Sequence, residues 1–133
     1  MNWIDVKKQI KDVDLDAIEK ELQIRLPNDY RCRIKKINGG ALKEAYYPSK
    51  EYGKIAYARN TNLSLDAKAN AAFLAKKINK EEIRYFPFGS VGNGDYFCLN
   101  LQDNSVVLYV HEGENFLEVC DSYTDFMKRL VEK

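Results

Sequence analysis

A chain of 133 residues with 45% hydrophobic and 31% charged side chains can bury one continuous core and is too apolar to be a disordered segment. Its 21 basic and 20 acidic side chains leave a formal charge of +1, without the basic excess by which nucleic-acid binders displace counterions from phosphates. Direct binding of nucleic acid is therefore not expected. Nor is a membrane span, because no stretch approaches the ~20 apolar residues one needs. The opening MNWIDVKKQIKDVD has no apolar run of signal-peptide length. Cys32, Cys98 and Cys120 are odd in number and far apart, which suits reduced thiols better than a disulfide framework. A cytoplasmic protein is expected.

Trp3, Val6 and Ile10 share one face at helical spacing, with Lys7, Lys8 and Lys11 opposite, and predict a first helix. A second follows, with Asp14 as N-cap and Leu15, Ile18 and Leu22 as its apolar stripe. Pro27 suits the first turn of a third, in which Tyr30, Ile34 and Ile37 fall on one side and Asn38-Gly39-Gly40 supply a left-handed stop. EAYYPSKEYG reads as a strand end running into a loop, and KIAYARNTNL as a strand. Ser64 is placed to cap a helix through LDAKANAAFLAKKIN.

From Arg84 the period becomes two. Phe97, Leu99 and Leu101 share one face of YFCLNL, and Tyr96, Cys98 and Asn100 the other; Val106, Leu108 and Val110 then alternate with Val107, Tyr109 and His111. The connections QDNS and GEN are too short for parallel crossovers, so YFCLNL, VVLYVH and FLEVC form an antiparallel meander. Ser122, with Asp125 three residues on, opens a last helix whose apolar stripe is Tyr123, Phe126, Met127, Leu130 and Val131. The expected architecture is one α+β domain over residues 1–133, an antiparallel meander flanked by N-terminal helices and a C-terminal helix.

No constellation of catalytic residues emerges. In GSVGNGD the last glycine, Gly94, is followed by Asp95 and a strand, whereas a phosphate loop needs Lys and Ser or Thr leading into a helix. Asn93-Gly94 is read instead as a tight turn taking positive φ. His111 is the only histidine and no metal-ligand spacing is present. FGSVG is not a nucleophile elbow, and Cys120, across one turn from His111, reads as a strand residue rather than an activated thiol. Neither enzyme activity, a cofactor nor a bound metal is expected.

Two features point to protein binding. Four of the nine tyrosines, Tyr46, Tyr47, Tyr52 and Tyr57, crowd one segment, and tyrosine is favoured at interfaces for its large ring and polar tip. Charge is also segregated. Residues 43–84 carry nine basic and five acidic side chains, residues 85–133 three and eight. Asp95, Asp103, Glu112, Glu114 and Glu118 lie in or beside the meander turns, where they would steer a basic partner.

IEKELQIRLPNDYRCRIKKINGG, YFPFGSVGNGDYFCLNL, VVLYVHE and SYTDFMKRL, in that order, resemble the SUKH superfamily in its Smi/Knr-type branch. Leu26, Pro27 and Tyr30 match its helix-start motif, Asn38, Gly39 and Gly40 its helix stop, and Pro87, Phe88, Gly94 and Asp95 its strand-turn motif. The chain departs in having Gln23-Ile24-Arg25 where a glycine often precedes the Leu-Pro, and Asn100 where an aspartate is frequent. The resemblance implies helices around a mostly antiparallel sheet and no catalytic residues. Bacterial members are similar to immunity proteins that bind and neutralise a cognate toxin, often a nuclease; eukaryotic relatives look like cell-wall regulators that act through partners. The expectation is a monomeric immunity protein occluding a protein toxin, with a regulatory interaction module as the alternative.

Overall fold

The computed structural model describes residues 1–133. In chain order the elements are α1 (Asp12–Leu22), α2 (Asn28–Ile37), β1 (Ala45–Ser49), β2 (Gly53–Ala56), β3 (Arg59–Asn60), α3 (Ala71–Asn79), β4 (Tyr85–Ser90), β5 (Tyr96–Asn100), β6 (Ser105–Val110), β7 (Asn115–Cys120), α4 (Tyr123–Arg129) and β8 (Val131–Glu132). One antiparallel sheet runs β3-β4-β5-β6-β7, and a smaller one runs β2-β1-β8. This is the α+β arrangement expected, with the three-stranded meander present as β5–β7, extended by β4 and β3 and joined by a separate small sheet.

The first expected helix does not form. Every third backbone donor of residues 4–10 is taken by a distant segment: Ile4 N donates to Ala41 O at 2.9 Å, Lys7 N to Asn38 O at 2.8 Å and Ile10 N to Lys35 O at 3.2 Å. Ile10 is buried and Trp3 packs edge-on to Tyr57 all the same, so the apolar spacing marks core contacts made by an irregular strap. Helix α1 starts at Asp12; Asp14 sits inside the first turn and accepts from Lys11 N at 2.8 Å. The α1–α2 pair is fastened by Glu19, which accepts from Leu26 N at 2.7 Å and Arg31 Nη1 at 2.6 Å. Pro27 is the N-cap of α2, one residue ahead of the expected first turn, and Gly39, at φ 68°, is the left-handed residue of its stop.

Ser64 does not begin a helix either. Leu63 N donates to buried Asn38 Oδ1 at 2.7 Å and Ser64 N to Asn62 Oδ1 at 3.0 Å, which pins that stretch as a loop. Helix α3 starts at Ala71, capped by Asn70, whose Oδ1 accepts from Phe73 N at 2.8 Å. Ser122 caps α4 as expected, accepting from Asp125 N at 3.0 Å. Val131 leaves that helix and pairs with Tyr46 in the small sheet. In the β4–β5 connection the positive φ values belong to Gly92 and Gly94, at 106° and 100°, rather than to an Asn-Gly pair.

The main core lies between the helices and one face of the large sheet. Tyr30, Tyr47, Tyr57, Tyr123, Phe86, Phe88, Phe97 and Phe126 are its largest fully buried side chains. Tyr47 stacks on Phe126 at 4.7 Å and Tyr30 meets Tyr123 edge-on at 5.1 Å; such pairs add ~0.5–1.5 kcal/mol beyond the area they bury. Tyr30 and Phe126 thus share one core. Gly89, at a bulge in β4, has no room for a Cβ because the Tyr57 ring lies against it.

Candidate functional site

Alternation along the meander gives the large sheet a second face. Cys98 and Val107 lie at its centre, buried beneath Tyr85, Tyr96, Tyr109 and Phe116, and Ile78 is the one helical side chain that joins them. Tyr85 stacks on Phe116 at 3.9 Å although two strands lie between them, because the twisted sheet brings its diagonal corners together over the small Cys98 and Val107. Tyr109 meets Phe116 at 5.2 Å, and the Arg84 guanidinium stands 5.4 Å over the Tyr85 ring. Tyr85, Tyr96 and Phe116 remain half-exposed. This outer face is the candidate binding surface: large, stacked, amphipathic rings held in place by one another.

The five candidate carboxylates fall into two groups. Asp95, Glu112 and Glu114 occupy the β4–β5 and β6–β7 connections at one end of the sheet, while Asp103 lies in the β5–β6 turn and lines a groove with Glu51, Glu118 and Asp121 towards the other. Asp95 is largely covered and accepts from His111 N at 3.0 Å, with His111 Nδ1 against the same oxygen. His111 thus secures a turn. Glu114 pairs with Lys80 Nζ at 2.7 Å, and this bond raises the Lys80 pKa. Ser105 donates its hydroxyl to Asp103 at 2.7 Å and thereby lowers that carboxyl's pKa. Glu112 and Glu118 are exposed and form no ion pair.

The rival tyrosine segment is mostly interior. Tyr47 and Tyr57 are 2% and 1% exposed and belong to the main core, which corrects their reading as surface residues. Tyr46 is half-buried, with Lys54 Nζ 4.8 Å above its ring, and Tyr52 is exposed. Sequence reading passed over Tyr85, Tyr96 and Phe116 as a group. The signal was present, since Tyr96, Cys98, Val107 and Tyr109 all fall on the face opposite Phe97 and Leu108.

Cys98 and Cys120 are not poised for chemistry. Burial raises the pKa of both Cys98 and Cys120, which keeps them protonated thiols. No cluster of His, Cys, Asp and Glu has the arrangement of a metal site.

Helices packed on one side of an antiparallel meander, with an aromatic, charge-rimmed face on the other, define an α+β domain. The model of the SMI1 / KNR4 family (SUKH-1) matches residues 9–129, and the chain belongs to that family. No curated protein matches the chain in a sequence search. The two departures from the family pattern now have a structural meaning. Gln23 is the left-handed residue ending α1, at φ 55°, the conformation glycine adopts most cheaply. Asn100 Oδ1 accepts from Gln102 N at 3.1 Å, a turn an aspartate would make equally well.

Proposed function

We propose that this protein is an immunity protein that works in the cytoplasm of the producing bacterium. It binds a cognate protein toxin, a nuclease in the form favoured here, and neutralises it by covering its active site or substrate groove. The observation that carries this reading is the outer sheet face of a SMI1/KNR4-family domain, where Tyr85, Tyr96 and Phe116 stand half-exposed with carboxylates at both ends of the same sheet. Rigid aromatic anchors supply affinity in a protein interface, and flanking charges set the rate and choice of partner. A basic nucleic-acid groove is the complement such charges fit. The protein itself contributes no chemistry to the reaction it blocks.

The test is to search the genes flanking this one for a toxin and to measure protection of cells that express it, together with association kinetics of the purified pair. Reversing Glu112 and Glu114 to Lys in one variant, and Asp103 and Glu118 in another, separates the two acidic groups. The group facing the toxin should lose association rate at low salt, about tenfold or more, with the fold intact because exposed charges add little stability. If both variants protect like the parent while Tyr46 and Tyr52 truncations abolish binding, the acidic groups are not the contact. Capture of a cellular partner with no toxin effect would instead establish the regulatory alternative.

A further inference from the structure

A cavity of about 250 Å3 opens between the N-terminal strap, the end of α2, β3 and the start of β5; it is lined by Lys7, Gly39, Arg59, Asn62, Ser90 and Tyr96 among others, and no carboxylate lines it. Neither of its cations is in an ion pair. Arg59 donates from Nε to Gly39 O at 3.2 Å, which fixes the guanidinium, while its Nη2 is buried with no hydrogen-bond partner in the protein. A buried charged donor left unpaired costs more than a neutral one, so a small shift of the guanidinium that brings Nη2 to an acceptor at the cavity wall is favourable.

The backbone and stems that carry the other donors are also placed by contacts. Lys7 is tethered by its backbone N to Asn38 O at 2.8 Å, and its aliphatic stem lies across Gly39 where any Cβ would collide with Lys7 Cγ. Asn62 Oδ1 accepts from Asn38 Nδ2 and Ser64 N, both at 3.0 Å, which leaves the Asn62 Nδ2 group as its spare donor. Ser90 Oγ accepts from Gly92 N at 3.1 Å and keeps its hydroxyl proton to give. The lining thus sets two cations and two neutral donors among apolar walls that include Ala69, Leu74 and the Tyr96 ring, so a cavity without carboxylates offers an oxyanion charge partners beside a place for an apolar body.

We infer that this cavity binds a carboxylate or phosphate group, with Arg59 and Lys7 as the charge partners and Asn62 and Ser90 as orienting donors. The anion comes from a free small molecule or from an acidic side chain of a docked protein. Tyr96 belongs both to the cavity and to the outer aromatic face, so a protein docked on that face reaches the cavity mouth.

The test is 15N NMR of the full chain at constant ionic strength, titrated separately with inorganic phosphate and with N-acetylglutamate. Saturable shifts are expected at the Gly39 amide, the Asn62 side-chain amide and Arg59 Nε–H. Lys7→Gln should weaken the apparent affinity about tenfold without changing the melting temperature, and Arg59→Gln should do the same or more. Tighter binding of phosphate identifies a free phosphate ester as the source, and tighter binding of N-acetylglutamate an acidic side chain; either supports the site. Absence of saturable shifts with both probes, or shifts that Lys7→Gln leaves unchanged, overturns it. The readout needs no toxin, so its outcome is separate from that of the immunity reading.

Discussion

The two faces of the five-stranded sheet grow from the same alternation and end in different conditions. The inner face, through Phe86, Phe88, Phe97, Leu99, Val106 and Leu108, enters a cluster of 26 buried residues roofed by helices. The outer face has four buried residues, three of them on strands, and is roofed by its own aromatic rings. Helices decide the matter. Where they cover the sheet, side chains are spent on stability; where they do not, the strands must shield Cys98 and Val107 with residues large enough to do so and polar enough to meet water. Tyrosine satisfies both, and the same property suits it to a partner.

The largest expected effects are on the inner face. Tyr30→Ala and Phe97→Ala should each lose ~3–5 kcal/mol in urea unfolding, a large part of the ~5–15 kcal/mol that holds a domain together. If Tyr30→Ala kept full stability and lost only its partner, the division between faces would collapse at that residue. Next comes Gly94→Val, which should cost more than ~1 kcal/mol in a thermal melt, since Gly94 has φ 100° and a Cβ there would stand 3.1 Å from His111 Nδ1. An unchanged midpoint would show that the turn is not what ties β5 to β6 at that end.

Phe116→Ala on the outer face should cost about 1 kcal/mol, well below the inner truncations, because one side of the ring already faces solvent. The same variant sharpens the comparison through thiol labelling. In the parent, exposed Cys32 should react first, half-buried Cys120 later and Cys98 last. Removing the Phe116 ring should speed Cys98 alone, and equal acceleration of Cys98 and Cys120 would mean general loosening. Smallest is Gln23→Gly, expected to stabilise by a few tenths of a kcal/mol up to ~1 by relieving the left-handed residue that ends α1. A loss in urea titration would show that the Gln23 side chain contributes more than its strain costs.

These contrasts also mark what could be read from the chain. The meander, its alternation, the Ser122 cap and the start of α2 near Pro27 were legible because each is set within about six residues. The first ten residues were not. Their apolar spacing is helical, but their donors go to carbonyls some thirty positions away, and periodicity carries no record of that. Ser64 failed for the same reason, since Asn38, read as part of a helix stop, and Asn62, read within a strand, are the hydrogen-bond hub that holds its loop. The outer aromatic cluster was half legible. The faces of Tyr96 and Tyr109 followed from alternation, while the meeting of Tyr85 with Phe116 depends on sheet twist. Charge patterning gave the acidic residues but not their division between the two ends of the sheet.

One consequence of the topology concerns other copies of the chain. Strand β7 ends the large sheet with no neighbour beyond it, and its sequence, Asn115-Phe-Leu-Glu-Val-Cys120, is otherwise that of a sticky ribbon. Glu118 is its single charge. An antiparallel meeting of two β7 edges centred on that residue would set two carboxylates face to face, so one side chain discourages the chain from building sheets with itself. Glu118→Val would leave six uncharged residues along an open edge. The domain would still fold, and in concentrated solution two copies would pair edge to edge into a dimer, since each chain offers one β7 edge.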